Sequence, residues 1–395
     1  MSDMPYILNM MKDIVIVSAV RTPVGSFNGG LSSVPATRLG SIVIDEAIKR
    51  AGIKPTDVDE VIMGNVLSAG LGQSPARQAS IGAGLPYTTN CLTANKVCGS
   101  GLKAVMIASQ SITLGDAEII VAGGMESMSR APYLLDKARF GYRMGNGDIV
   151  DSMIKDGLWD VYNNIHMGSC AEIVADKYRI DRNEQDRYAL QSYQRAIEAQ
   201  NNGYYTEEII PIDNIVMDEE PNRHDLSKLK TLSPVFKEGG RVTAGNSSKI
   251  SDGAAAVIVM SGEKARELKI MPMAKIITHA SQGVEPEMFS IAPAGAIKKI
   301  LKKTGLTLND IDLFEINEAF SASILSVIKE LNLDEAKLNI HGGAIAIGHP
   351  IGASGARILT TLLYAMKRKN AKRGIAAICI GGGEAVAMLV EKVGE

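Results

Sequence analysis

Aromatic residues are scarce in this chain: Trp, Phe and Tyr together make up 5% of its 395 residues. Cysteine is scarcer, with Cys91, Cys98, Cys170 and Cys379 the only four, and there are five histidines. With no Cys-x-x-Cys pair, these numbers exclude a disulfide scaffold and the familiar zinc spacings. Charge of one sign is also missing: 42 Lys and Arg stand against 44 Asp and Glu, a net −2. Nothing in the bulk composition therefore points to nucleic acid or to a membrane surface, and an anionic ligand would need a local basic patch. No apolar run reads as a bilayer span, no signal peptide is visible, and Lys392-Val393-Gly394-Glu395 is no peroxisomal address. A reducing cytosol is the expected compartment. What the chain has in excess is glycine, 39 residues gathered in short runs.

One of those runs organises the rest. Asn95-Lys96-Val97-Cys98-Gly99-Ser100-Gly101 leads from an expected strand (91–97) into an expected helix (102–114). A thiol at a strand-to-helix turn sits beside free backbone N–H groups, which favour a thiolate and lower its pKa. The plainer reading is a small Cys packed under a helix. Around this stretch, apolar runs at 13–19, 58–66 and 117–124 read as strands, and the spacings at 37–51 and 74–83 as helices. Strands alternating with helices imply an α/β fold whose sheet is covered on both faces.

Between residues 125 and 240 strand-like runs thin out, and 184–201 reads as an amphipathic helix. The α/β pattern resumes over 241–260 and 274–281. The chain then repeats itself. Gly52-Ile53-Lys54-Pro55-Thr56-Asp57-Val58-Asp59 matches Gly305-Leu306-Thr307-Leu308-Asn309-Asp310-Ile311-Asp312 without a gap. Ser100-Gly101 leading to Gly123-Gly124 matches Ser354-Gly355 leading to Gly381-Gly382, with about four extra residues in the second copy. The organisation expected is a first half at 11–124 plus 241–271, an inserted region at 125–240 and a second half at 272–395. Residues 1–10 read as an extension or an expression remnant.

The repeat places the loops of both halves face to face at the strand ends, where α/β sheets bind ligands. Cys98, His349 in Gly348-His349-Pro350 and Cys379 before Gly381-Gly382-Gly383 are candidates for covalent catalysis with acid–base help. Taken singly, a turn His or a core Cys is the plainer explanation; together, flanked by glycines, they favour chemistry. Asn317 ends the strand 313–316 and is either an oxyanion donor or the N-cap of a helix over 319–331. His166 and Met167 open another helix. Cys91 and Cys170 read as packing residues.

Four of these stretches, in this order and spacing, resemble the thiolase family: Val97-Cys98-Gly99-Ser100-Gly101, Asn317-Glu318-Ala319-Phe320, Gly348-His349-Pro350 and Cys379-Ile380-Gly381-Gly382-Gly383. Thr243-Ala244-Gly245-Asn246 and Gly123-Gly124-Met125-Glu126-Ser127-Met128 resemble further thiolase motifs. The resemblance implies two βαβαβαββ halves in a layered α-β-α-β-α core with an inserted loop domain. It implies Cys98 as acyl acceptor, His349 as its base and Cys379 as the acid–base at the acetyl Cα. One oxyanion site would come from His349 and an Asn317-held water, the other from the N–H groups of Cys98 and Gly381. Ser248, Arg223, His224, Leu158, His166, Met167, Phe236, Ala244, Ala319 and Phe320 would surround the coenzyme A thioester. That thioester, as acetyl-CoA or acetoacetyl-CoA, is a substrate; no prosthetic group or metal is implied. The expected reaction is acetyl-CoA C-acetyl transfer by a cytoplasmic homotetramer. A 3-ketoacyl-CoA thiolase of broader chain length and a non-catalytic acyl-CoA-binding protein are the alternatives. Two departures from the family pattern, Lys249 after Ser248 and Glu384 after Gly383, fall beside the expected site.

Overall fold

A computed structural model describes residues 12–394; the extension expected over residues 1–10 lies outside them. Ten strands join in one continuous sheet system. The first half supplies β1 (Ile14–Arg21), β2 (Glu60–Gly64), β3 (Asn90–Ala94), β4 (Ile119–Ser127) and β5 (Ser251–Ser261). The second supplies β6 (Ala274–Gly283), β7 (Leu313–Ile316), β8 (Arg373–Ile380) and β9 (Glu384–Glu391). The tenth, Gly25–Ser26, only extends the edge of β5. The principal helices are α1 (Ala36–Ala51), α2 (Ser100–Leu114), α3 (Met167–Lys177), α4 (Arg182–Asn201), α5 (Ala292–Thr304), α6 (Ser321–Leu331) and α7 (Ser354–Lys369).

Strand order is β7-β8-β9-β6-β1-β5-β4-β2-β3. Read outward from the β1–β6 join, where Val15 faces Lys275, the two flanks have one topology. The second half lacks only a full counterpart of β3, reduced to a single bridge between Phe314 and Leu338. Asn339 completes that ladder with its side chain, accepting from Ile316 N at 2.8 Å and donating to Ile316 O at 2.9 Å.

The repeated Gly-x-x-x-x-Asp-x-Asp has a physical explanation. Gly52 and Gly305 take φ of 68° and 70° and end α1 and α5 in the left-handed conformation. Asp57 and Asp310 cap the short turns that follow, accepting from Lys54 N and Thr307 N. Asp59 then clamps the start of β4 through Glu118 N at 2.7 Å and Ile119 N at 3.0 Å. Asp312 clamps β8 in the same way through Lys372 N and Arg373 N, each at 2.8 Å. Ile119 thus corresponds to Arg373, and the distance along the chain from Ser100 to Ile119 equals that from Ser354 to Arg373. There are no extra residues in the second copy. Gly123-Gly124 correspond to Ala377-Ile378, and the sequence pairing with Gly381-Gly382 is corrected. The two glycine pairs serve different needs. A Cβ on Gly124 would meet Gly352 O, whereas Gly382 and Gly383, at φ of 90° and 87°, turn the chain from β8 into β9.

Three apolar layers hold this together. Leu102 and Val105 of α2 and Ile358 and Leu362 of α7 pack between the two flanks, against Ile16 and Ile62 on one side and Ile378 and Met388 on the other. Outside the first flank, Leu39 and Val43 of α1 cover Val17 and Val121. Outside the second, Ile297 and Ile300 of α5 lie over Leu389 and Ala387. The result is α-β-α-β-α, with each fully buried Leu or Ile contributing about 1.5–3 kcal/mol of transfer free energy. The central layer is tight because the repeated glycines let the helices touch: a Cβ on Gly355 would come within 2.4 Å of Leu102 N. Because α2 lies in the central layer, it is apolar over most of its surface, with Gln110 and Leu114 exposed towards its end. The segment Val97–Leu114, mean hydropathy 1.2, is therefore long and apolar enough to cross a membrane, contrary to the expectation that no run would be. Here it is the core helix.

The region 125–240 carries two short ribbons, a π-helical stretch over Met153–Leu158, α3 and α4. It is fastened to the sheet by Arg21, fully buried at the end of β1, whose guanidinium reaches Glu208 and Asp218 at 2.6 Å each. Nothing in the sequence pattern pointed to that ion triad.

Candidate active site

Cys98 stands at the turn into α2. Val97 before it has φ of 43°, a left-handed conformation that a β-branched residue adopts only where its surroundings impose it. Ser100 supplies that constraint: its Oγ accepts from Lys96 N at 2.8 Å and donates to Val97 O at 2.6 Å. The backbone N–H groups of Gly381 and of Cys98 itself face the sulfur. Their pull does not prevail. Burial, with Glu126 adding to it, pushes the thiol up to about 11, so the lowered pKa expected from the helix N-terminus is corrected. The helix begins with Ser100, and its dipole acts on a site too dry to hold a resting thiolate. Cys379, at the end of β8, is raised by burial and by its neighbour Cys98.

His349 arrives from the other half. Ser354 Oγ, 2.6 Å from His349 Nδ1, already donates to Pro350 O at 2.9 Å, so it accepts from an Nδ1–H. The lone pair is therefore on Nε2, 3.5 Å from Asn317 Nδ2. Burial and the nearby Arg357 charge lower the His349 pKa to about 3, which keeps the ring a neutral base. Asn317 is not the cap of α6, a position held by Phe320. Its Oδ1 is buried with no partner among the described residues.

His349 lines a cleft of about 460 Å³. Cys98 packs on the apolar cluster of Val66, Leu67 and Ile351, as do Leu158 and Ile250, and Ile351, Leu158 and Ile250 line the same cleft. Of the residues expected around the thioester, Leu158, His166, Arg223, His224, Phe236, Ala244, Ser248 and Phe320 line it. His166 caps α3 by accepting from Gly168 N through Nδ1, and stacks on Phe236. Two expected residues do not line the cleft. Ala319 is buried and touches it only through its carbonyl, which accepts from Ser248 N. Met167 lies beside Gly381 and lines a second cavity of about 440 Å³ with Val97 and Tyr162.

Sequence reading missed Glu220, a buried carboxylate that holds both Arg223 and His224. It also left the two departures unexplained. Lys249 Nζ donates to the carbonyls of Ala244 and Ser247 and lies over the Tyr193 ring at 5.7 Å. Glu384 pairs with Lys96 at 2.7 Å, joining the Cys98 loop to the Gly381 turn. Among the described residues no group of three His, Cys, Asp or Glu is placed to hold a metal ion.

Known proteins resemble this chain in sequence and in fold. Two family models match, "Thiolase, N-terminal domain" over residues 14–263 and "Thiolase, C-terminal domain" over 270–392. The chain is 53% identical to acetyl-CoA acetyltransferase 1 of Arabidopsis thaliana, over 97% of its own length and 95% of that protein's. It is 52% identical to the acetyl-CoA acetyltransferase of Cupriavidus necator, over 97% of this chain and 100% of that one. The Acat5 thiolase of Ascaris suum, solved in complex with coenzyme A, superposes with a TM-score of 0.93 at 45% identity, covering 97% of this chain and 100% of that chain.

Proposed function

The chain belongs to the thiolase family, and from that premise we propose that it is an acetyl-CoA C-acetyltransferase working through an acetyl-Cys98 intermediate. As the Cys98 sulfur attacks the thioester carbonyl, His349 Nε2 takes its proton. The oxygen that gains charge is met by the N–H groups of Cys98 and Gly381. Cys379 gives its proton to the departing CoA sulfur and is left as a thiolate. A second acetyl-CoA then loses its α-proton to Cys379. The resulting enolate, its oxygen held by His349 and an Asn317-bound water, attacks the acetyl group. Collapse expels Cys98, which recovers its proton from His349, and acetoacetyl-CoA and CoA leave. A neutral Cys–His pair at rest suits this sequence, because charge develops only when substrate is present.

The observation that carries the reading is a sulfur faced by two N–H donors and a second thiol, in the apolar cluster whose Leu158, Ile250 and Ile351 line a cleft together with an oriented, neutral imidazole. The region 125–240, with residues 241–250, forms much of that cleft and is assigned the coenzyme A moiety. Arg223 and His224 would face its phosphates. The cavity beyond Met167 favours, as a second reading, longer 3-ketoacyl chains. We assign the protein to the cytosol and to a homotetramer, the latter supported by exposed Phe140 and Met144 on the loop between Tyr133–Leu134 and Val150–Asp151.

Intact mass after brief incubation with acetyl-CoA tests the mechanism. Wild type is expected to gain one acetyl group and Cys98→Ser none. An adduct on both, or on neither while CoA binds, rejects Cys98 as acceptor. Rates with acetoacetyl-CoA and longer 3-ketoacyl-CoA then decide between the two substrate readings.

A further inference from the structure

The duplicated fold provides an internal control for one buried charge. Glu126, near the end of β4, has no exposed surface. Since Ile119 corresponds to Arg373, Glu126 corresponds to Ile380 in the second half. Each meets the turn leading into the opposite half's central helix. Ile380 packs its Cδ1 on Gly99, where a Cβ would come within 2.5 Å, before α2. Glu126 meets the turn before α7, accepting from Gly352 N at 2.9 Å. The packing problem at this position is thus solved by an apolar side chain in one half and by an acid in the other. An acid is not a requirement of the fold.

Every acceptor direction of that acid is used. Oε1 takes Asn65 Nδ2 at 2.9 Å and Leu67 N at 3.2 Å; Oε2 takes Val66 N at 3.1 Å and Gly352 N at 2.9 Å. Four donors leave no place for a carboxyl proton, so the group is held ionised although burial and Asp252 raise its pKa. Three of its bonds hold the Asn65–Leu67 turn of the first half, and the fourth holds the turn three residues beyond His349. Val66 and Leu67 pack with Cys98, Leu158 and Ile351. The groups facing Cys98 are the Glu126 charge, Cys379 and the N–H groups of Gly381 and Cys98. The Lys96 ammonium is engaged by Glu384.

We propose that Glu126 is a positioning residue for the acyl-transfer centre: its ionised carboxylate ties the Asn65–Leu67 turn to the Gly352 turn and so fixes the seat of Cys98 relative to His349. The proposal rests on the reading of Cys98 as acyl acceptor, and it predicts a second effect independent of turnover. The same carboxylate adds to the burial that keeps the unliganded thiol protonated.

The test compares wild type with Glu126→Gln and with Glu126→Ile, the residue the second half uses. Thiolysis of acetoacetyl-CoA is followed, together with the pH dependence of Cys98 alkylation by iodoacetamide. Both variants are expected to fold and to lose kcat on the order of 10- to 100-fold, with KM changed by less than about twofold. The alkylation midpoint is expected to move down, because the influence that adds to burial is removed. A soluble variant with wild-type kcat and an unmoved midpoint overturns the proposal. So does failure of both variants to fold, which would make the acid a requirement of the fold after all. If wild type itself shows neither thiolysis nor an acetyl adduct, the acyl-transfer reading fails, and the alkylation midpoint still reports whether Glu126 governs the thiol.

Discussion

At the residue scale, the chemistry is set by which groups burial keeps neutral. Lys249 is the informative side chain in the cleft. Burial pulls its ammonium down to about 8, with Glu220 pulling the other way. A lowered amine pKa means the charge is present below that value and lost above it. The KM for coenzyme A thioesters is therefore expected to rise between pH 7 and pH 9 as attraction for the phosphates fades. Lys249→Met should have a higher KM at pH 7 and lose that slope. A slope equal in wild type and variant would separate Lys249 from substrate binding. The sequence showed this residue as an added charge beside Ser248 but not its partners. The carbonyls of Ala244 and Ser247 lie in its own loop, but the Tyr193 ring comes from α4 and only the fold brings it there.

At the element scale, the repeated glycines govern how close α2 and α7 can lie. Gly355→Ala would push a methyl group onto Leu102 N, backbone that cannot rotate away. A loss of roughly 1–3 kcal/mol is expected, read as a lower denaturant midpoint with an unchanged m-value. Asp312→Ala tests the clamp on β8 by freeing the N–H groups of Lys372 and Arg373. Its expected loss is about 1–3 kcal/mol, with kcat retained, because the bonds it removes lie at the opposite end of β8 from Cys379. The elements themselves were readable in advance. The strand 313–316 has the same bounds in sequence and structure, and 184–201 became α4, which starts two residues earlier at Arg182 behind an Asp181 capping box. Periodicity and cap chemistry are local, so they survive in one dimension. The register of the repeat did not, because two glycine pairs look alike until one is seen as a close approach and the other as a turn. The direction of the Cys98 shift was missed for a related reason: a helix N-terminus is visible in sequence, but the depth at which it is buried is not.

At the scale of the whole molecule, the candidate site draws on separated stretches of both halves, which meet at the starts of α2 and α7. That convergence was legible through the repeat. The anchoring of region 125–240 by Arg21, Glu208 and Asp218 was not, since those residues are far apart in the chain. This region also projects Phe140 (87% exposed) and Met144 (99% exposed), more apolar surface than an isolated chain has reason to show. Sedimentation at micromolar concentration is expected to give about four times the 42.1 kDa chain mass. Phe140→Asp with Met144→Asp should reduce the assembly while leaving the fold, by circular dichroism, unchanged. A wild-type particle of one chain mass would reject the assembly.

The missing counterpart of β3 has a further consequence. On the β7 side the sheet is closed: Asn339 occupies the ladder, and Arg195 takes the Leu338 and Glu335 carbonyls. On the β3 side Asn90 and Leu92 are exposed, and among the described residues no further strand pairs with β3. A ribbon open at both margins can add copies without limit and grow into a fibre. With a single open margin, edge-to-edge growth stops after one addition. The shortened ladder of the second half is thus also a safeguard against polymerisation.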